Sequence, residues 1–229
     1  MIRLDKALAN IGYGSRNEMK RLIKSGRVRV NGEVITNPTV HIQEETDELM
    51  IDDKPVTYQK YFYFMLNKPA GVISATEGRD TTVIDLIDEN IKGLFPCGRL
   101  DKDTEGLLMI SNDGELTHQL LSPRNHIEKE YYVEHSIPLS DYDVEMLENG
   151  ISSGSDNFRP AKYEKVSDHA CRLVITEGKY HEIKRMFLAM GNQVTYLKRL
   201  RMKTLVLDPA LKPGEYRPLK PEEVKALQD

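Results

Sequence analysis

Three carboxylates, Asp101, Asp103 and Glu105, alternate along Gly98-Arg99-Leu100-Asp101-Lys102-Asp103-Thr104-Glu105-Gly106-Leu107-Leu108, a polar stretch bracketed by glycines. Alternate acids in a loop suit three roles: solvated charges, a cation site, or the presentation of one carboxylate for nucleophilic or acid–base work. Paired acids would also suit glycoside or nucleoside hydrolysis, with Asp103 or Glu105 assisting Asp101. A second constellation, His181-Glu182-Ile183-Lys184-Arg185, imitates the start of a zinc-protease helix but lacks the second histidine. The six histidines form no metal-ligand spacing with either cysteine, so no metal is expected. There is no glycine-rich phosphate loop and no dinucleotide fingerprint.

These residues need elements to hold them. Leu107-Leu108-Met109-Ile110 is a continuous apolar run closed by Asn112-Asp113-Gly114, which predicts a buried strand ended by a turn. Ile183, Met186, Phe187 and Met190 recur at helical spacing before Gly191, so a helix is expected over 180–190 with that stripe in the core. On it Lys184 projects about 100° from Ile183, at the border of the buried face, while Arg185 lies nearly opposite and suits phosphate contact. Further helices are expected over 84–91, 115–121, 141–148 and 221–227, and strands over 61–66, 131–133, 172–175, 194–196 and 204–207. Strands this closely spaced leave no room for regular crossover helices. The fold class is therefore α+β, with a mixed, mostly antiparallel sheet. Between 179 and 203 seven basic residues face one acid, which suggests a basic surface.

The first sixty residues read differently. Residues 1–31 hold eight Lys or Arg against two acids, whereas 32–60 hold two against seven. Ser15-Arg16-Asn17-Glu18 has the form of a capping box, so a helix should run from there to Ser25 before Gly26 stops it. Arg16, Lys20 and Lys24 then share one face, with Arg27 and Arg29 following, a basic stripe for phosphates. Val28 to Val34 alternates around Asn31-Gly32, a hairpin signal. A boundary is expected near 56–61, dividing the chain into a small α/β module over 1–58 and a larger domain over 61–229.

Composition bounds the rest. With 39% hydrophobic and 30% charged residues and no apolar stretch near the roughly 20 residues of a membrane span, a soluble globular protein is expected. The N-terminus lacks a signal-peptide apolar core, and Cys97 and Cys171 make no disulfide framework, so a cytoplasmic location is expected. A net charge of −4 argues against indiscriminate coating of nucleic acid. No heptads occur, and a monomer is expected.

The 98–108 segment closely resembles the catalytic motif of the pseudouridine synthases. Leu66-Asn67-Lys68-Pro69-Ala70-Gly71, Lys129-Glu130-Tyr131 and Glu177-Gly178-Lys179-Tyr180-His181-Glu182-Ile183-Lys184-Arg185-Met186-Phe187 resemble three further blocks of that family. With Ser122-Pro123-Arg124-Asn125-His126 and Pro213-Gly214-Glu215-Tyr216-Arg217-Pro218-Leu219, the match is nearest the branch acting on small-subunit (16S) ribosomal RNA; related branches act on large-subunit RNA. The N-terminal stretch resembles the RNA-binding module named after small-subunit ribosomal protein four. The resemblance implies isomerisation of uridine to pseudouridine without a cofactor. It implies Asp101 as nucleophile at C1′ or as base on the ribose, Lys184 as its ionic partner, and Tyr131 stacked on the base. It also implies RNA contacts from Arg99, Lys68 and Arg185, with Arg16, Lys20 and Lys24 in the small module. Lys184 stands where the wider superfamily has Arg, and Glu182 where related sequences have Gln. A non-catalytic RNA-binding assembly factor is the competing reading from another class.

Overall fold

The computed structural model describes residues 1–44, 46–89, 91–154 and 156–229. They fall into two compact units, residues 1–62 with 88–94, and residues 63–87 with 95–229.

In the first unit Ser15 caps the helix Arg16–Lys24 reciprocally with Glu18, and Gly26 follows in the left-handed region at φ 74°. The hairpin of Val28–Val30 with Glu33–Ile35 turns through Asn31 and Gly32, both at positive φ, the conformation that a tight two-residue turn demands. Val28–Val30 also pairs with Leu49–Ile51, and Leu49–Ile51 with Lys54–Val56. A shorter helix, Leu4–Asn10, packs with the first through Leu4, Leu8, Met19 and Ile23, all buried.

The second unit is built on one large sheet. Its strand order is Lys162–Ser167, Ala170–Ile175, Lys129–His135, Val194–Met202, Glu105–Ser111, Tyr63–Lys68, Tyr216–Pro218. Every neighbouring pair is antiparallel except Val194–Met202 with Glu105–Ser111, so the sheet is mixed and mostly antiparallel as expected. Helices Gly114–Leu121 and Pro221–Gln228 bury Leu116, Leu120 and Leu227 in a core with Met65, Leu107, Met109 and Met202. Asp113 does more than turn the chain: its carboxylate accepts the Glu115 and Leu116 N–H groups and caps the helix.

Two expectations need correction. The helix expected over 84–91 is not formed among its described residues. Thr82 pairs with Ile73 as an isolated bridge, Thr82 and Asp85 exchange turn-closing bonds, and one turn ends at Ile87 N–H to Ile84 C=O, 3.0 Å. From residue 88 the chain belongs to the first unit, so a longer helix has no single core to bury against. The strand expected from 61 runs instead over Tyr63–Lys68, which makes Lys68 the last residue of a buried strand and not a loop residue.

Candidate active site

One register row crosses the large sheet: Lys68 pairs with Gly106, Gly106 with Arg199, and Arg199 with Tyr131. Residues so paired share a face, so the row brings together four segments that lie far apart in the chain. At the Arg199–Tyr131 step the register shifts past Leu200, a bulge of the kind that re-aims side chains beside active sites. Gly106 has φ 98° and touches the Arg199 backbone closely. Arg199 is buried and donates from Nε to the Leu107 carbonyl at 2.7 Å.

The acid-bearing loop enters this row from above Gly106. Ser74 holds Leu100 at both backbone groups, donating to its carbonyl at 2.9 Å and accepting its N–H at 3.0 Å. Gly71 N–H donates to Lys102 C=O at 2.7 Å, and Thr104 N–H to Asp101 C=O at 3.1 Å. Lys68 sits fully buried beneath and donates to the carbonyls of Pro69 (3.0 Å), Lys102 (3.3 Å) and Thr104 (2.9 Å). Burial pulls its ammonium down to about 8, although Asp103, Glu105 and Asp101 oppose the change. The expectation of an RNA-facing Lys68 is thereby corrected: its ammonium is spent on loop carbonyls, and no surface is left to meet a phosphate.

Held in this way, Asp101 meets the helix Glu182–Ala189. Lys184 Nζ lies 3.0 Å from Asp101 Oδ2 and 2.6 Å from Asp103 Oδ1. Both members of the Asp101–Lys184 pair keep about a quarter of their side-chain surface, with Asp101 at 25% and Lys184 at 26%. Burial disfavours the charge on Lys184, but the two carboxylates outweigh it and raise its pKa; the same ion pair holds Asp103 below the usual carboxylate range. The helix is anchored by buried Ile183, Met186 and Phe187, and this anchoring is what sets Lys184 at the cleft border.

Tyr131 is 7% exposed, and burial raises its phenol pKa against the opposing influence of Arg199. With Asp101, Arg99, Lys129, His181 and Arg199 it lines a cavity of about 720 Å³. Arg99 is exposed at its edge. Arg185 lies over the Phe158 ring at 5.3 Å and donates to Tyr180 C=O at 3.1 Å, a partly exposed cation beside the same cleft. Of the basic cluster over 179–203, Arg199 is buried, Arg201 is tied to Glu130 and Glu128, and Lys203 donates to Leu227 C=O. The basic surface expected there is therefore smaller than its composition suggests. A larger concavity of about 1140 Å³ in the first unit holds none of the motif residues.

Two residues lining the cleft were given no role there by the sequence. His181 Nε2 lies 3.4 Å from Asp101 Oδ1, on the side away from Lys184 Nζ, which faces Oδ2. Its backbone sits at φ 49° just before the helix, a conformation that periodicity does not reveal. Arg199 reads as one more basic residue in a strand, and only the sheet register shows it behind Tyr131. Glu182 is buried, accepts Lys179 N–H at 2.8 Å, and has its pKa raised by burial.

In the first unit Arg16 is exposed but shared with buried Asp5, 3.2 Å away, which Arg3 also contacts at 2.8 Å. Burial disfavours the Asp5 carboxylate, but the two arginines prevail and lower its pKa. Lys20 and Lys24 lie on the outer side of the same helix, whereas Arg27 and Arg29 pair with Asp52 and Asp53. Arg27 and Arg29 thus contribute less free charge to the stripe than their spacing implies.

Residues 62–189 match the family described as RNA pseudouridylate synthase, and residues 2–48 match the S4 domain. The chain is 48% identical to a Bacillus subtilis protein named uncharacterized RNA pseudouridine synthase YtzG, over 100% of this chain and 99% of that one. It is 40% identical to ribosomal small subunit pseudouridine synthase A of Escherichia coli K12, over 99% of this chain and 100% of the relative. A crystal structure described as pseudouridylate synthase superposes with a TM-score of 0.69 at 36% identity, covering 99% of this chain and 100% of that one.

Proposed function

The chain belongs to the RNA pseudouridylate synthase family, and we propose that it isomerises one uridine of small-subunit (16S) ribosomal RNA to pseudouridine with Asp101 as the catalytic carboxylate. The observation that carries this reading is the Asp101–Lys184 ion pair, whose carboxylate residue lines, together with Tyr131, a cleft large enough for a nucleotide. The reaction breaks the bond from ribose C1′ to uracil N1, turns the base, and joins C1′ to C5; C5 then gives up its hydrogen as a proton, and N1 takes up a proton in exchange. Product and substrate have the same composition and oxidation level, so the chemistry calls for no redox cofactor. What it needs is a carboxylate at the sugar and a confined space for the detached base.

Asp101 supplies the carboxylate, whether it attacks C1′ or takes a ribose proton. Lys184 fixes one of its oxygens and His181 stands 3.4 Å from the other, which helps keep the group aimed during the reaction. Tyr131 offers its ring as one wall for the uracil and its phenol as a proton carrier. Arg99, at the rim, is placed to bind phosphate or to occupy the gap when the uridine turns out of the RNA. Lys68 positions the loop from below, and Arg185 joins the phosphate-binding rim. Residues 1–58, with Arg16, Lys20 and Lys24, bind the RNA that residues 61–229 modify. Among the described residues no helix is long and apolar enough to cross a membrane. Cys97 and Cys171 are unpaired thiols, buried and pushed up to about 12, which suits the reducing cytoplasm where ribosomes are built.

The test is tritium release from small-subunit RNA labelled at uridine C5, for wild type and Asp101→Asn. Release equivalent to one site, reduced by at least about a thousandfold in the variant, is the expected result. Release only from large-subunit RNA would move the substrate, and none from either RNA would overturn the reading.

A further inference from the structure

Tyr180 is 69% exposed, unusual for so large an aromatic ring beside a catalytic cleft. Its backbone is held on several sides. Arg185 donates to its carbonyl at 3.1 Å, Lys179 N–H donates to Glu182 at 2.8 Å, and Glu182 N–H returns to Lys179 C=O at 3.1 Å. Behind it lies His181, ring centroids 3.7 Å apart and planes 21° from parallel, and His181 in turn reaches Asp101 at 3.4 Å. Both rings line the cavity that contains Asp101 and Tyr131. The series carboxylate, imidazole, phenol therefore leads outward from the reacting position and ends on an aromatic face turned to solvent.

We propose that Tyr180, backed by His181, is the stacking platform for the nucleobase next to the target uridine in the RNA strand. This rests on the reading that a uridine is processed at Asp101. A uridine turned into the cleft leaves its neighbour unstacked on one side, and a rigid aromatic face one ring beyond Asp101 replaces the missing stacking. The surroundings favour a nucleic acid over an apolar protein surface: the exposed Arg99 and Lys179, the latter shared with Glu177, line the same cavity, and Arg185 donates to the Tyr180 carbonyl, where a protein partner would call for apolar neighbours. Stacking accepts any base, so this subsite adds affinity and holds the strand in place while sequence selection lies elsewhere. Purines, with the larger face, bind it best.

The test uses the full-length protein and a nine-nucleotide single-stranded RNA with one central uridine, carrying 2-aminopurine immediately 5′ or immediately 3′ of it. Wild type should quench one of the two probes on binding. Tyr180→Ala should abolish that quenching and bind roughly ten- to a hundredfold more weakly, whereas Tyr180→Phe should keep both. Replacing the quenched base by an abasic site should weaken wild type by a similar factor but leave Tyr180→Ala unchanged, the signature of a direct pair. Quenching that is absent, or equal in wild type and Tyr180→Ala, overturns the proposal, as do effects that simply add. Tritium release from C5-labelled small-subunit RNA by wild type reports separately on the reading beneath it. If release fails while Tyr180-dependent quenching persists, the stacking site stands and the assigned substrate falls.

Discussion

A β-carbon placed on Gly106 would lie 2.3 Å from the Arg199 carbonyl oxygen and 2.8 Å from the Arg199 nitrogen. These two residues join the strand that follows the Asp101 loop to the strand that backs Tyr131, and they do so backbone to backbone. Gly106→Ala combines an unfavourable φ of 98° with a clash that no rotamer relieves. The expected cost is about 3 kcal/mol or more, read as a lower midpoint in urea unfolding, with turnover falling further than stability because the catalytic loop is displaced.

Lys184 serves Asp101 and Asp103 with one ammonium. Lys184→Arg keeps the charge and should retain turnover within about tenfold, since its planar fork must find a new geometry at a site built for a point charge. Lys184→Met leaves a partly buried carboxylate without its cation and should lower kcat by roughly two to three orders of magnitude with little change in RNA affinity. Single-turnover kinetics with saturating enzyme separate the two effects.

Lys68 makes a pH-dependent contribution. Its folded pKa of about 8 lies below the ordinary 10.5, so between these values the unfolded chain holds a proton that the folded chain lacks, and stability rises with pH across that window. Lys68→Met removes this dependence. It also strands three loop carbonyls, a cost of about 2–4 kcal/mol. Unfolding midpoints should show the advantage of wild type over the variant widening from pH 8 to pH 10.

Glu182 works in the opposite sense. Burial raises its folded pKa above the ordinary 4.5, so the folded state binds the proton more readily and wild-type stability falls as pH rises through that interval. Glu182→Gln keeps an acceptor for Lys179 N–H and removes the buried charge. Melting temperatures should shift in favour of the variant by more at pH 7 than at pH 4, and activity should persist.

Lys20→Glu with Lys24→Glu tests the first unit. For each RNA phosphate that the variant no longer neutralises, the slope of log affinity against log salt should become shallower by about 0.7 to 0.9. Arg16→Ala should also destabilise the unit, because Asp5 is left with one of its two arginines inside the protein.

Local physics made much of this protein legible in its sequence. The Ser15–Glu18 box, the Asn31-Gly32 turn and the Ile183–Met186–Phe187 stripe are decided by groups within a few residues of one another, and each forms where the sequence places it. Of the residues that meet at Asp101, the motif blocks pointed to Lys184 and gave no role to His181. Tertiary structure alone decided which charges those residues keep. Whether Lys68 faces solvent or three carbonyls depends on a strand pairing with Gly106, distant in the chain. Whether His181 reaches Asp101 depends on a left-handed residue before a helix. Whether Arg199 meets RNA or backs Tyr131 depends on the register of an antiparallel pair and the bulge in it. Side-chain types and spacing fix what chemistry is available. Burial and long-range register select which of it is used, because both are properties of the packed sheet and not of any segment within it.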